Sequence, residues 1–210
     1  MSLPLRSVKF AVIDCGAMLG ILPVTANAAT DPALVYHATN AGASEQADVD
    51  GTTILVFVQT QSYHFSGGNT RPDFDGISVQ VELIDNATGT IVKSFYGFVP
   101  GSGTVSANLT SASIPATTVV VNDDFGDDQA TLTAGAEITG SGAATHTHFI
   151  ARFCGPPQPC FGQFNIVGTE RPATSAMTLS GVIDGFDLSQ LTFSSNGGGM
   201  SNILGVELLG

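Results

Sequence analysis

The amino-acid sequence predicts an all-β protein, an antiparallel β-sandwich of roughly a dozen short strands. Three observations lead to this class. Apolar residues recur with a period of two, as in Ile77–Leu83, where every second side chain is apolar. Turn sequences rich in Gly, Asp and Asn separate these segments at the spacing usual for sandwiches. Helix-favouring residues are scarce, with 6 Lys and Arg against 25 Gly. A closed or partly open β-barrel is the alternative architecture.

Individual segments support these strands. Residues 77–84 and 90–98 flank the turn sequence Asp85–Gly89 and form the clearest predicted β-hairpin. Alternation recurs in 105–109, 130–138 and 204–208, and each of these segments is a predicted strand. Residues 54–58 are apolar without a break, which favours a central strand buried on both faces. The glycine run 196–199 is interpreted as a turn.

The first 28 residues have the layout of a secretory signal peptide. Arg6 and Lys9 precede an apolar segment, and Ala26-Asn27-Ala28 is a small-x-small cleavage sequence. We therefore expect a signal peptide over 1–28 and a single β-sandwich domain over 29–210. The mature protein is expected to be secreted or held at the cell surface, with no membrane span after cleavage.

The charge of the chain limits its partners. The formal net charge is −12, and cleavage after Ala28 would remove two basic residues and one acidic residue, leaving −13. So acidic a chain repels phosphate backbones, which argues against a nucleic-acid partner.

The stretch His146–Cys160, HTHFIARFCGPPQPC, contains the residues that most resemble a chemical site. On a strand, His146 and His148 project from one face and are candidate ligands for a transition metal, because imidazole is a common ligand of zinc and copper. The sequence indicates no third ligand, and the alternative is a pair of solvent-facing side chains on a Thr-rich strand.

Cys154 and Cys160 are the two cysteines that survive cleavage, and we expect a disulfide between them. A bridge across the neck of a hairpin fits this spacing, since three of the five enclosed residues are proline. If the two cysteines oppose each other directly, His148 pairs with Ile166 across the hairpin. Both hairpin faces then mix apolar and polar side chains, which leaves a register slip as the alternative.

Four carboxylates crowd one turn and form a candidate calcium site, because loop carboxylates are the oxygen ligands that Ca²⁺ prefers: Asp123, Asp124, Asp127 and Asp128. Solvated Asp-Gly turns between strands are the alternative. Apart from calcium at this turn and the transition metal considered for His146 and His148, no cofactor is expected.

The common catalytic motifs are missing from the sequence. We therefore expect a non-catalytic binding or structural module whose partner is a protein or a glycan. The alternative is a secreted hydrolase that uses carboxylates or a histidine-based metal site. With no Trp and 3 Tyr, the sequence offers little support for an aromatic carbohydrate platform.

Overall fold

The computed structural model describes residues 33–67, 72–152 and 163–208. They form twelve strands, several of them long, with the following bounds: β1 Val35–Val49, β2 Thr52–Ser66, β3 Phe74–Asp85, β4 Thr90–Pro100, β5 Thr104–Val105, β6 Ser111–Asp123, β7 Gln129–Gly140, β8 Thr145–Arg152, β9 Gln163–Ser180, β10 Val182–Ile183, β11 Phe186–Asp187 and β12 Ser194–Leu208.

All strand pairs are antiparallel, and eight of the described strands form a ring of pairings. The order is β1-β2-β3-β4-β6-β7-β9-β12, and β12 pairs again with β1. β8 is added to the first half of β9, and β5 pairs with β6. The all-β antiparallel fold class is thereby confirmed. The ring is consistent with a sandwich and with the partly closed alternative.

Helical structure within the described ranges is a single 3-10 turn, Leu188–Gln190. No helix among the residues described is long and apolar enough to cross a membrane.

Strand alternation separates two sheet faces. The inner face carries the buried core, which includes Ala43 on β1, Val58 on β2, Val79 on β3 and Leu132 on β7. Each buried aliphatic side chain of this kind contributes about 1.5–3 kcal/mol through the removal of apolar surface from water. The predicted hairpin is confirmed, because β3 and β4 pair across the turn and Ile77–Leu83 presents its apolar residues to this core.

The pairing of β4 with β6 is the shortest connection in the ring. It comprises two register pairs, Phe95 with Asp123 and Tyr96 with Asn122. Beside it, Gly97 lies so close to β6 that a Cβ atom there would be 2.3 Å from the Val120 carbonyl oxygen. A residue without a side chain is therefore required where these two backbones approach.

The strands of the predicted β8–β9 hairpin pair, but not in the register that directly opposed cysteines would give: the pairing is shifted by one residue, the alternative that the sequence left open. His148 pairs with Val167 and not with Ile166. The observed register collects Phe149 and Ile166 on one face and the two histidines on the other. A one-residue slip exchanges every side chain of one strand between faces, yet the histidine face of the observed register also carries Ile150 and Val167, so it remains mixed.

Two local predictions are also wrong. In 105–109 only Val105 is in a strand, and Leu109 ends a turn with a φ of 54° and its side chain buried. The glycine run 196–199 belongs to β12 and is not a turn. A Cβ on Gly198 would meet the Gly42 carbonyl oxygen at 2.8 Å, so close strand contact accounts for glycine there.

The predicted signal peptide, residues 1–28, lies outside the described residues, as do Cys154 and Cys160. The signal peptide and the disulfide remain predictions.

Candidate functional site

The histidines lie at one end of the sheet, which we call the open end. It comprises β8 with the adjoining parts of β9, β12, β1 and β2: residues 163–171, 200–208, 35–39 and 62–66. All four described histidines project from its inner face: His37, His64, His146 and His148. Each lies an even number of residues along its strand from a core residue, or is the cross-strand partner of a residue that does.

His146 and His148 are exposed on β8, and each is hydrogen-bonded to the neighbouring strand. His146 Nδ1 lies 3.0 Å from Thr169 Oγ1. His148 Nε2 lies 2.6 Å from Asn165 Oδ1 and donates to it, since an amide oxygen only accepts. The two imidazoles are thus oriented by separate polar partners on β9.

His37 and His64 are direct partners across the β1–β2 pair. His37 Nε2 donates to Asn202 Oδ1 on β12. His64 Nδ1 lies 3.0 Å from Asp73 Oδ2 in an exposed ion pair. This hydrogen bond is the main cause that raises the pKa of His64, and it likewise lowers the pKa of Asp73.

The structure thus brings the four histidines to one face but gives each a separate hydrogen-bond partner. No group of three or more His, Cys, Asp or Glu side chains within the described ranges is arranged to hold a metal ion. A transition-metal site at His146 and His148 remains a prediction.

The candidate calcium residues lie in the β6–β7 turn, where three have local partners. Asp128 Oδ2 accepts from Lys93 Nζ at 2.6 Å, and the same ammonium contacts Asp184 at 2.6 Å. Asp124 accepts from the Ser94 hydroxyl at 2.8 Å. Asp123 accepts from the backbone N–H of Phe125, and no hydrogen bond is described for Asp127. Hydrogen bonds to Asp128 and Asp184 raise the pKa of Lys93. These contacts join the turn to β4, and calcium at this turn remains a prediction.

Glu45 is a buried carboxylate on the inner face, with 6% of its surface exposed. Its Oε1 accepts from the backbone N–H of Met177 at 2.8 Å and lies 3.5 Å from Ser175 Oγ. Beyond Ala173, β9 pairs with β7 but no longer with β12, so the β12 side of β9 has no neighbouring strand to supply an acceptor. Glu45 supplies that acceptor from β1.

A continuous row of aromatic rings crosses the outer face of the same end of the sheet. We call it the aromatic row. Its successive ring centroids are 5.4, 6.2, 6.4, 6.4 and 6.0 Å apart, and its members run from β4 through β3, β2 and β1 to β9: Phe98, Phe74, Tyr63, Phe65, Tyr36 and Phe164. Phe74 and Phe98 are 41% and 40% exposed. Burial raises the pKa of Tyr36, and Tyr63 adds to this shift.

Two glycines allow these rings to lie against the backbone. A Cβ on Gly76 would be 2.0 Å from a carbon of the Phe98 ring and 3.1 Å from the Phe74 ring. A Cβ on Gly205 would be 2.0 Å from the Tyr36 ring. Each ring therefore covers a glycine on the neighbouring strand, an arrangement that compensates for the missing glycine side chain.

Concave sites are shallow in the part of the chain that the structure describes. Two depressions of about 320 and 150 Å³ share Val105, and small hydroxyl-bearing residues contribute most of their lining. The smaller one lies between β5 and the inner face at Thr39, Thr60 and Ser62.

Sequence reasoning missed both Glu45 and the aromatic row. Glu45 had a readable signal, because Ala41, Ala43 and Ala47 occupy the same strand face and an acid among them indicates a buried partner. The aromatic row had none, because its six rings come from five strands whose order and register are not evident in the sequence.

No protein-family model matches the chain, nor does any curated protein. Among solved structures, one similar chain is an acetoacetate decarboxylase-like enzyme from Sphingomonas wittichii RW1. It is 10% identical in sequence, with a TM-score of 0.27, and the match covers 86% of this chain and 94% of that chain. So remote a likeness carries no argument about activity.

Proposed function

We propose that the protein is an exported, non-catalytic binding module that binds a neutral glycan chain through the aromatic row. The observation that carries this proposal is the continuity of six rings across five strands, with the rings of Phe74 and Phe98 partly open to solvent. The exposed end of the row, at Phe74 and Phe98, is apolar surface of the kind typical of interaction sites, whereas Phe164 at the other end is buried.

The surroundings of the aromatic row favour a glycan over an apolar protein surface. Uncharged amide and hydroxyl side chains border the row on the outer face: Asn40, Gln59, Gln61, Ser78, Gln80 and Ser201. Sugar rings present apolar C–H faces that pack on aromatic rings, and their hydroxyls both donate and accept hydrogen bonds as amides do.

The acidity of the chain and the dispersed polar groups support the same conclusion. A net charge of −12 disfavours anionic polymers at this face. The described histidines bond to separate neighbours, and a hydrolase would need such groups to converge on one reacting bond. Export rests on the predicted signal peptide, and secretion of the full chain with cleavage after Ala28 tests it.

Tyrosine fluorescence offers a direct test of glycan binding. The chain has no Trp, and two of its 3 Tyr belong to the aromatic row, so a bound sugar changes the emission of the native protein. Titration with cellohexaose and xylohexaose, repeated by calorimetry, measures affinity. The double variant Phe74→Ala, Phe98→Ala removes the two exposed rings of the row. It is expected to bind roughly 10-fold or more weakly, which corresponds to a loss of about 1.4 kcal/mol or more in binding free energy.

The double variant Ile91→Ala, Val92→Ala is the matched control. It also removes two exposed apolar side chains, 48% and 52% exposed, but from the opposite end of the β3–β4 pair, where Ile91 pairs with Ile84. Equal weakening by both double variants, or no saturable binding of either hexasaccharide, would overturn the proposal.

A further inference from the structure

The inner face of the open end differs in charge from the rest of the chain. On β8, β9, β12 and β1 its described side chains include Arg171 and three histidines, His37, His146 and His148, but no carboxylate. The chain as a whole has 18 acidic residues against 6 basic ones. One arginine and three hydrogen-bonding imidazoles are therefore grouped within an acidic protein.

Arg171 has no partner in the part of the chain that the structure describes. Its Nε atom is fully buried without a hydrogen bond, although the residue is half-buried as a whole. Lys93, by contrast, contacts two carboxylates. A guanidinium nitrogen without an acceptor is costly, so the side chain would be stabilised by an external acceptor, which must approach through its partly exposed remainder because Nε itself is closed to solvent.

Neighbouring residues hold the arginine side chain in place. Its stem crosses Gly140, where a Cβ would be 3.0 Å from both Arg171 Cδ and Nε. Met200 pairs with Arg171 on β12, and Thr169 lies two residues away on the same face. Thr169 in turn contacts His146 and pairs with Asn202. A ligand at Arg171 thus meets hydroxyl, amide and imidazole groups on adjacent strands.

We propose that Arg171 is the centre of a carboxylate-binding site on this inner face, separate from the aromatic row. One planar guanidinium matches one carboxylate through paired N–H···O bonds. A phosphate carries more charge and usually needs several cations, whereas Arg171 is the one arginine whose side chain the structure describes on these strands. The carboxylate of Asp73 is paired with His64 on β2. β2 is three strands from β9, about 14 Å at the usual strand spacing, so Asp73 does not neutralise Arg171.

The polar groups beside Arg171 favour a carboxylate that also carries hydroxyls. Thr169 and Asn202 lie one step along the strands from the arginine and can bond to such hydroxyls. Sugar acids combine the two chemistries, whereas acetate offers the carboxylate alone. Both therefore serve as probes, and neutral glucose controls for the hydroxyls.

The test uses the Nε–H resonance of Arg171 in ¹⁵N NMR spectra of the mature protein. Sodium glucuronate is titrated at constant ionic strength, with acetate and glucose in parallel. We expect a saturable shift of this resonance with glucuronate, a weaker saturable shift with acetate, and none with glucose. Because the wild-type resonance is observed directly, the result does not depend on any variant folding.

Variants then separate the site from general electrostatics. Arg171→Met is expected to weaken glucuronate binding at least 10-fold, and Arg171→Lys to weaken it less because the charge remains. Glu170→Gln, on the opposite face, is the control and is expected to bind as the wild type does. A shift that does not saturate, an equal response to glucose, or unchanged affinity in Arg171→Met would overturn the site. None of these results bears on cellohexaose binding at the aromatic row.

Discussion

The two halves of the inner sheet face differ in chemistry, although the same strands form both. On β1 the face carries His37 and Thr39 at the open end. It continues with Ala41 and Ala43 in the closed ring, which is the part of the eight-strand ring beyond the open end. β2 changes in the same way, from His64 and Ser62 to Val58. Strand alternation decides which face a residue takes, but its position along the strand decides whether that face is core or surface.

The largest expected effect concerns closure of the ring. Gly97→Ala places a Cβ 2.3 Å from the Val120 carbonyl oxygen, so β4 and β6 must separate. We expect a loss of about 4 kcal/mol in the free energy of unfolding, or failure to fold, because such overlap with backbone cannot relax by side-chain rotation. Urea denaturation measures the change.

Gly199→Ala is the control for this substitution. Its Cβ would be 3.7 Å from the Arg171 carbonyl oxygen, an ordinary contact. A change of similar size in both variants would show that glycine is needed at these strands for reasons other than the β4–β6 approach.

A matched pair of leucines compares the two halves directly. Leu132 is buried in the closed ring, whereas Leu204 is 43% exposed on the inner face of the open end. Leu132→Ala is expected to cost about 2–5 kcal/mol, and Leu204→Ala less than about 1 kcal/mol. Equal destabilisation, measured from urea midpoints at constant slope, would contradict the division between core and surface.

Glu45 is the polar exception inside the closed half, and its removal has a smaller effect. Glu45→Ala leaves the Met177 N–H buried without an acceptor and should cost about 1–3 kcal/mol. Glu45→Gln keeps a side-chain oxygen acceptor and should cost less. If thermal unfolding shows Gln to be as damaging as Ala, the hydrogen bond to Met177 is not what the carboxylate contributes.

The smallest effect concerns the exposed His64–Asp73 pair. The pKa of His64 is raised above 6.5, so its stabilising contribution is present below pH 6.5 and is lost as pH rises through the folded-state pKa. The pKa of Asp73 is lowered below 3.8, so its stabilising contribution is present above pH 3.8 and is lost as pH falls through the lower folded-state pKa. NMR titration of the imidazole should show a lower His64 pKa in Asp73→Asn. An unchanged pKa would contradict the role of Asp73.

The fold class was predictable because period-two alternation survives in each strand separately. β3, β4 and β7 could be located from their own residues, since their apolar positions meet the core. The glycine run of β12 was misinterpreted because the reason for glycine there is the proximity of Gly42, which no local pattern reveals.

The candidate sites were less predictable for the same physical reason. His146 and His148 were identified in the sequence, but their hydrogen-bond partners on β9 were not. Asn165 and Thr169 reach the histidines only in the observed register, and a slip of one residue would turn them to the other face. The aromatic row was missed because four of its six rings are phenylalanines on separate strands, and only the strand order brings them beside Tyr36 and Tyr63. Arg171 could not be singled out in the sequence, because whether an arginine lacks a hydrogen-bond partner depends on which strands pack around it.

The pairing of β1 with β12 has a consequence for the order of folding. The first and last described strands are neighbours over twelve register pairs, so the ring cannot close until the final strand is present. Contacts between such distant segments slow folding, since the loop entropy must be lost before the contact is gained. Until β12 is in place, the edges of β1 and β9 are unpaired, and such edges are prone to aggregation.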